Sequence, residues 1–319
     1  MTGAGVPCPG PPRASFLRLT LPHALDCLHA LWRYPLRTLI FTLTALTAFA
    51  ANSVLCRLAL GTGSIDAASF STVRVLSGTA LLLILTSFIP GRRQERQAGD
   101  WLSAGMLFTY MVAFSFAYIS LNAGTGALIL FGMVQLTMLF WALRSGERPH
   151  LLVWLGLVLA LAGLVFLVLP GLSAPSPAGA FLMAVAGISW GVYSLRGRGS
   201  TRPLLSNSGN FLRAIPLVLA VSLLAMGEIH LEPMGIVLAV LSGALASGAG
   251  YAVWYAALAG LTATRAAVVQ LAVPPLAAAG GVLFLGEQLT GRLLVAMSLI
   301  LGGVALALAG RTDRSRRSR

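Results

Sequence analysis

The chain has 319 residues, 57% of them hydrophobic and only 10% charged, and its mean hydropathy is +0.85. Soluble domains carry about 25% charged residues, so this composition excludes an ordinary water-soluble fold, and the lack of period-2 alternation in the apolar blocks excludes a β-barrel. All 22 basic residues are arginine, and the formal net charge is +13; their place in loops and tails beside apolar blocks marks them as an orientation signal rather than a nucleic-acid surface.

Residues 1–38 form a Gly/Pro-rich start followed by an Arg-bearing stretch with scattered leucines. No compact apolar core or small-residue cleavage site is present, so a cytoplasmic tail is expected, with an interfacial helix near Ala24–Tyr34 as one option. Ten apolar blocks follow, at roughly 39–60, 67–89, 101–119, 122–143, 151–169, 178–196, 208–227, 234–257, 263–285 and 292–310. Most are long enough to cross ~30 Å of hydrocarbon as a helix. The uncharged Pro/Ser-rich segment 170–177 reads as a linker between two halves, 39–169 and 178–310, and residues 311–319 form a basic tail.

With both termini cytoplasmic, 18 of the 22 arginines lie in tails or inner loops. Arg57 and Arg292 fall at outer loops or span ends, and Arg74 and Arg213 lie within spans. This bias orients the chain with N- and C-termini inside a cell membrane.

The two halves repeat one another. Trp190–Arg196 (WGVYSLR) echoes Ala51–Arg57 (ANSVLCR) at an offset of 139, and Arg213 repeats Arg74. Leu121–Leu169 matches Leu261–Ala309 without a gap at ten of 49 positions, including Gly146-Glu147 against Gly286-Glu287 and Gly163 against Gly303. Five spans per half is an odd number, so the second half must enter the membrane inverted. The predicted fold is therefore all-α integral membrane, with ten transmembrane helices as two inverted five-helix repeats, an architecture that builds transporters around a midplane site.

The repeat length, the small or aromatic residues ahead of Arg57 and Arg196, and the Gly-Glu pairs followed by Gly-rich fifth spans together resemble the EamA-type part of the drug/metabolite transporter superfamily, over residues 39–310. The resemblance implies ten helices, no covalent cofactor, and export of amino acids or other small metabolites. The chain departs from the pattern in two places. Val134-Gln135 stands where the second half has Pro274-Pro275, and Ala51 stands where it has Trp190.

Several residues are candidates for the substrate path or its gates. Arg74 lies about seven residues, or ~10 Å, into its span. A charge at that depth snorkels, pairs or faces a wet cavity. Arg213 is its counterpart in the second half. Asn52, Gln135 and Gln270 offer hydrogen bonds to a polar solute or to neighbouring helices. Trp190, Tyr193, Tyr251 and Trp254 offer flat walls with a polar edge, as do Tyr110 and Tyr118, whereas Trp101, Trp141 and Trp154 sit where interfacial belts form. Pro274 and Pro275 free backbone carbonyls or kink the ninth span. Glu147 and Glu287, after the fourth and ninth spans, are either coupling carboxylates or helix-end partners for arginine.

The three cysteines, Cys8, Cys27 and Cys56, show no metal spacing, and His230 with Glu228 and Glu232 lacks the convergent ligands of a metal site. No metal, cofactor or nucleic-acid partner is expected. The expected partners are a small-molecule substrate and the lipid bilayer, with monomer and homodimer both open. The leading function is a secondary transporter moving small polar metabolites, amino acids or related compounds, outward by alternating access. The alternative is an integral-membrane enzyme acting on a lipid-linked substrate, which the scarcity of acidic motifs disfavours. A membrane receptor or scaffold would need a larger extramembrane part than a 38-residue tail.

Overall fold

The computed structural model describes residues 21–89, 99–144, 151–169, 174–197, 200, 202–258, 261 and 269–317, the backbone alone for 21–35 and 307–317. The tail before residue 21, residues 170–173 of the expected linker, the arginine-bearing segments 90–98 and 145–150, and Glu147 with them lie outside the described residues.

Ten helices are described: α1 Leu21–Gly61, α2 Ala67–Ser87, α3 Trp101–Ala117, α4 Ala123–Arg144, α5 Leu151–Val168, α6 Pro177–Gly197, α7 Pro203–Leu224, α8 Pro233–Leu258, α9 Val273–Leu285 and α10 Gly291–Arg317. Five of them hold stretches long and apolar enough to cross a bilayer, at Leu36–Gly61, Ala67–Ser87, Pro177–Gly197, Leu204–Leu224 and Pro233–Leu258, and five shorter apolar helices accompany them. Large apolar side chains such as Phe88, Leu224, Leu283 and Phe284 cover the outside, as expected of a surface solvated by lipid rather than water.

Helix ends follow local chemistry. Asp66 and Asp100 cap α2 and α3 by accepting from Ser69 N at 2.8 Å and Ser103 N at 2.9 Å. Pro203 and Pro233 stand in first turns, where no backbone donor is lost. The same rule corrects two expected boundaries. α7 starts at Pro203 rather than near 208. In the expected ninth span, 263–285, helical residues 269–270 are followed by a turn at 271–272 and then by α9, so the helix is interrupted just ahead of Pro274 and Pro275, which stand in the first turn of α9.

The halves interdigitate. α3 packs on α6 and α7, α2 on α7 and α8, α1 on α8 and α9, α4 on α6 and α9, and α5 on α10, whereas contacts within a half are sparse. Glycines bring α5 and α10 into backbone contact. A Cβ at Gly163 would lie 3.1 Å from Ile300 N, and one at Gly303 would lie 2.6 Å from both Ala160 N and Gly156 O. Position 163 meets 300 while 160 meets 303, so the two helices run antiparallel.

α8 is not uniform. Its middle, Leu241–Ala249, is a nine-residue π-helix between two α-helical arms. Such wide turns are uncommon and cluster at functional sites. Here the π segment lies against α2: a Cβ at Gly243 would overlap the Arg74 carbonyl, and one at Gly78 would sit 2.9 Å from Gly243 O.

Candidate functional site

Where α1, α2, α3, α6 and α8 meet, the interior becomes aromatic and polar. Trp190 is the hub. Its ring centroid lies 4.9 Å from Tyr110, 4.8 Å from Tyr251, 5.7 Å from Tyr193 and 6.1 Å from Phe49. Trp254 joins through Phe49 at 5.7 Å. Of these rings Trp190, Tyr110, Tyr251 and Phe49, with Asn52, Ser53, Phe114, Leu130 and Phe131, enclose a cavity of about 10 Å³, room for about one water.

Arg74 stands beside this cavity with 0% exposure. It does not snorkel. Nε donates to Ser247 Oγ at 3.2 Å, and Nη2 donates to Tyr110 OH, also at 3.2 Å. The guanidinium carbon lies 4.9 Å from the Phe114 ring centroid and 5.4 Å from that of Tyr110. Among the described residues, the buried Nη1 has no acceptor and no carboxylate pairs with Arg74. Tyr251 OH donates to Tyr110 OH at 3.3 Å, and Ser242 Oγ donates to Asn52 Oδ1 at 2.6 Å. The π segment thus supplies both Ser242 and Ser247, five residues apart, to the same interior face. A buried cation held by rings and hydroxyls is left with one N–H that no acceptor meets among the described residues.

Arg213 differs from its repeat counterpart. It is only partly buried, and its Nη1 donates to Gly209 O of its own helix at 3.0 Å. Gln135 and Gln270 are buried, at 6% and 3% exposure, but line neither this cavity nor the larger one below. Pro274 is buried and Pro275 exposed.

At one end of the molecule the path from this cavity is shut. Gly286, at φ 64°, terminates α9 in the left-handed conformation, and Glu287 N donates back to Gly281 O. That turn aims the Glu287 carboxylate at the start of α4, where both oxygens accept from Ala123 N at 3.0 and 2.9 Å. Arg57 reaches Glu287 at 3.5 Å and donates to the Tyr118 and Ile119 carbonyls at the end of α3. Anion thus meets a helix N-terminus and cation a helix C-terminus. Burial of its site raises the Glu287 carboxyl above its usual value, against the pull of the Ala123 N–H and of Arg57. At the same end an Ile65–Leu231 bridge joins the α1–α2 and α7–α8 loops, with Asp66 accepting from His230 N at 3.1 Å.

The other end is open. A cavity of about 410 Å³ is walled by Asp100, Ser103, Tyr193, Arg196, Asn207, Asn210 and Tyr255 among others. Arg196, the repeat counterpart of Arg57, donates to Asp100 Oδ1 at 3.0 Å and to Ser103 Oγ at 2.9 Å. The Ser103 hydrogen bonds and Arg196 hold Asp100 below the usual carboxylate range despite its partial burial.

The EamA-like transporter family model matches this chain twice, over residues 36–169 and 177–309. The chain belongs to that family. An uncharacterized protein of Pseudomonas aeruginosa is 51% identical to this EamA-like transporter over 281 residues, covering 88% of this chain and 98% of that one. The threonine/homoserine exporter RhtA of Salmonella typhimurium is 34% identical over 168 residues, half of this chain and 55% of its own length. A probable amino-acid metabolite efflux pump of Escherichia coli is 27% identical over 62% of this chain and 72% of its own. A crystal structure with 22% identity superposes on 85% of this chain and 98% of its own at a TM-score of 0.60, a shared fold. This EamA-like protein is thus a multi-pass helical membrane transporter.

Sequence reasoning singled out Asn52, Arg74, Trp190, Tyr193, Tyr251 and Trp254, and the fold gathers these in and around the aromatic cluster. It missed Phe49, Phe114, Ser242 and Ser247, which look like ordinary span residues. It also missed the vestibule polars Asp100, Asn207 and Asn210. The i, i+3 spacing of the two asparagines on α7 was the available signal.

Proposed function

We propose that the chain is a secondary transporter that moves small carboxylate-bearing polar metabolites, amino acids or close relatives, outward across the cell membrane by alternating access between two inverted five-helix repeats. The observation that carries this reading is the buried, carboxylate-free Arg74 with its spare donor beside the aromatic cavity. A lone cation in that setting is costly, and a substrate carboxylate relieves the cost on arrival. Asn52 and the Tyr110, Trp190 and Tyr251 rings would orient the remainder of the solute, whose ammonium can lie against a ring face.

The ten-span inverted reading is supported by the antiparallel Gly163/Gly303 contact of α5 with α10, and by five shorter apolar helices beside the five long ones. Outward direction is supported by the names of the relatives, exporters and an efflux pump. With both termini cytoplasmic, the open Asp100 end faces the cytoplasm and the Glu287 end faces outward, so this conformation is inward-open. In the opposite state Arg196 would leave Asp100 and take the role of Arg57, with Glu147 as its repeat-matched carboxylate.

The test is flux. Purified protein in liposomes should export labelled threonine, homoserine or another amino acid, and Arg74→Ala should lower that flux roughly tenfold or more. Overexpression should confer resistance to toxic levels of the same solute. Folded protein that moves no amino acid or metabolite of a broad panel under any ion gradient sinks the reading.

A further inference from the structure

The open vestibule holds more polar chemistry than a passage needs. Asn207 is 1% exposed, lines the cavity, and has a buried Nδ2 with no acceptor. Its orientation follows from its neighbours. Asn210 Nδ2 donates to Tyr193 OH at 3.4 Å, and Tyr193 spends its one proton on Asn207 Oδ1 at 2.6 Å. The amide N–H of Asn207 is what remains for the cavity. Asp100 and Arg196 stand on the same wall as a half-exposed pair 3.0 Å apart. Each keeps capacity. Among the described residues, the bonds of Arg196 use Nε and Nη2, leaving Nη1, and the Oδ2 of Asp100 accepts only from Ser103 Oγ.

We infer that this vestibule is a capture site for zwitterionic solutes, α-amino acids in the first place, separate from the Arg74 cavity and upstream of it. Its walls carry one positive and one negative charge, so they match a dipole rather than a net anion. The solute's carboxylate takes the Nη1 of Arg196 and the Nδ2 of Asn207, and its ammonium takes the Oδ2 of Asp100. The volume of about 410 Å³ suits such a solute, whereas the central cavity is closed down to about 10 Å³. Tyr193 joins the two sites, with its hydroxyl in the vestibule network and its ring 5.7 Å from Trp190. The vestibule thus rejects net anions before they reach Arg74, which by itself would accept any carboxylate.

This inference rests on the transport reading but is tested apart from it, by equilibrium binding to the detergent-purified full chain. The probes are labelled L-threonine and 3-hydroxybutyrate, a comparable carboxylate without the ammonium. Arg74→Ala should still bind threonine, and should prefer it to 3-hydroxybutyrate by about tenfold or more. Adding Asn207→Asp, which keeps the Tyr193 bond but replaces the cavity-facing donor with an acceptor, should cut threonine binding at least about tenfold. Asp100→Asn retains a helix cap, and in the Arg74→Ala background it should erase the preference for the zwitterion. Loss of all threonine binding in monodisperse Arg74→Ala protein overturns the capture site. So does a zwitterion preference unchanged by Asp100→Asn. If Arg74→Ala binds threonine while the wild type moves no solute, the capture site stands and the transport reading fails.

Discussion

Arg57 and Arg196 occupy matching places in the repeat and do different work. Arg57 clamps the end of α3 and meets Glu287, which itself caps α4, so four helices converge on one ion pair. Arg196 stands at the rim of an open vestibule and holds only Asp100 and Ser103. The same side chain is a latch at one end and half of a dipolar wall at the other. In the proposed alternating-access reading, that difference is the asymmetry a two-state transporter built from a duplicated unit must show in any single state.

The strongest test of that comparison removes what both ends lead to. Arg74→Ala should lower transport roughly 10- to 100-fold or more, since charged hydrogen bonds contribute about 1.5–3 kcal/mol each. Arg74→Lys should recover only part of it, because an ammonium cannot span Ser247, Tyr110 and a substrate together. Proteoliposome flux reads both, and full activity in Arg74→Ala would detach the two ends from a common site.

The next effect is at the latch. Glu287→Ala, which removes the acceptor of the Ala123 N–H and the partner of Arg57, should weaken closure by about 1–2 kcal/mol, or roughly tenfold in the open population. A Ser53→Cys reporter, in a chain with Cys8, Cys27 and Cys56 replaced by alanine, should then label faster with an impermeant thiol reagent added outside. The charge swap Arg57→Glu with Glu287→Arg should fail to restore closure. The α3 carbonyls need a donor and the α4 amide needs an acceptor, so rescue by the swap would reduce the latch to a simple ion pair.

Gly281→Ala is a milder break from within. Its Cβ would overlap Glu287 Oε2, so the same reporter should label several-fold faster, with helical content unchanged by circular dichroism.

Smallest is the effect of pH. The Glu287 carboxyl is held above its usual value in the closed state, chiefly by burial. Protonation therefore favours closure: the gain is full below the ordinary carboxylate range and is lost as pH rises through the raised value. With labelling rates divided at each pH by those of a free small thiol, because the thiolate is the nucleophile, external acidification from about pH 7 to about pH 4.5 should slow reporter labelling by up to a few fold. Glu287→Gln should flatten that dependence, and acceleration at low pH would reverse the assigned sign.

Much of this was legible in the chain. Apolar blocks placed most of the helices, because a helix crossing lipid must be continuously apolar. The Gly-Glu pair could be read as a motif, but its meaning could not. Gly286 is needed for a left-handed turn, and that turn delivers Glu287 to a helix start 164 residues away. Arg74 was visible as a charge in a span. That it is sealed inside rather than snorkelling depends on the Tyr110 and Phe114 rings and on Ser247, none of them near it in sequence.

By itself, then, the sequence determined a membrane-embedded helical repeat of a transporter family, because hydropathy, charge bias and internal duplication are properties of the chain. Only the tertiary structure decided that Arg74 is sealed beside the aromatic cavity while Arg213 bonds back to its own helix. It alone decided that the π segment of α8 brings Ser242 and Ser247 inward, and that one end is latched while the other stands open. These depend on how helices from opposite halves approach one another, and arginines at matching repeat positions diverge there because their tertiary partners set what each can bind.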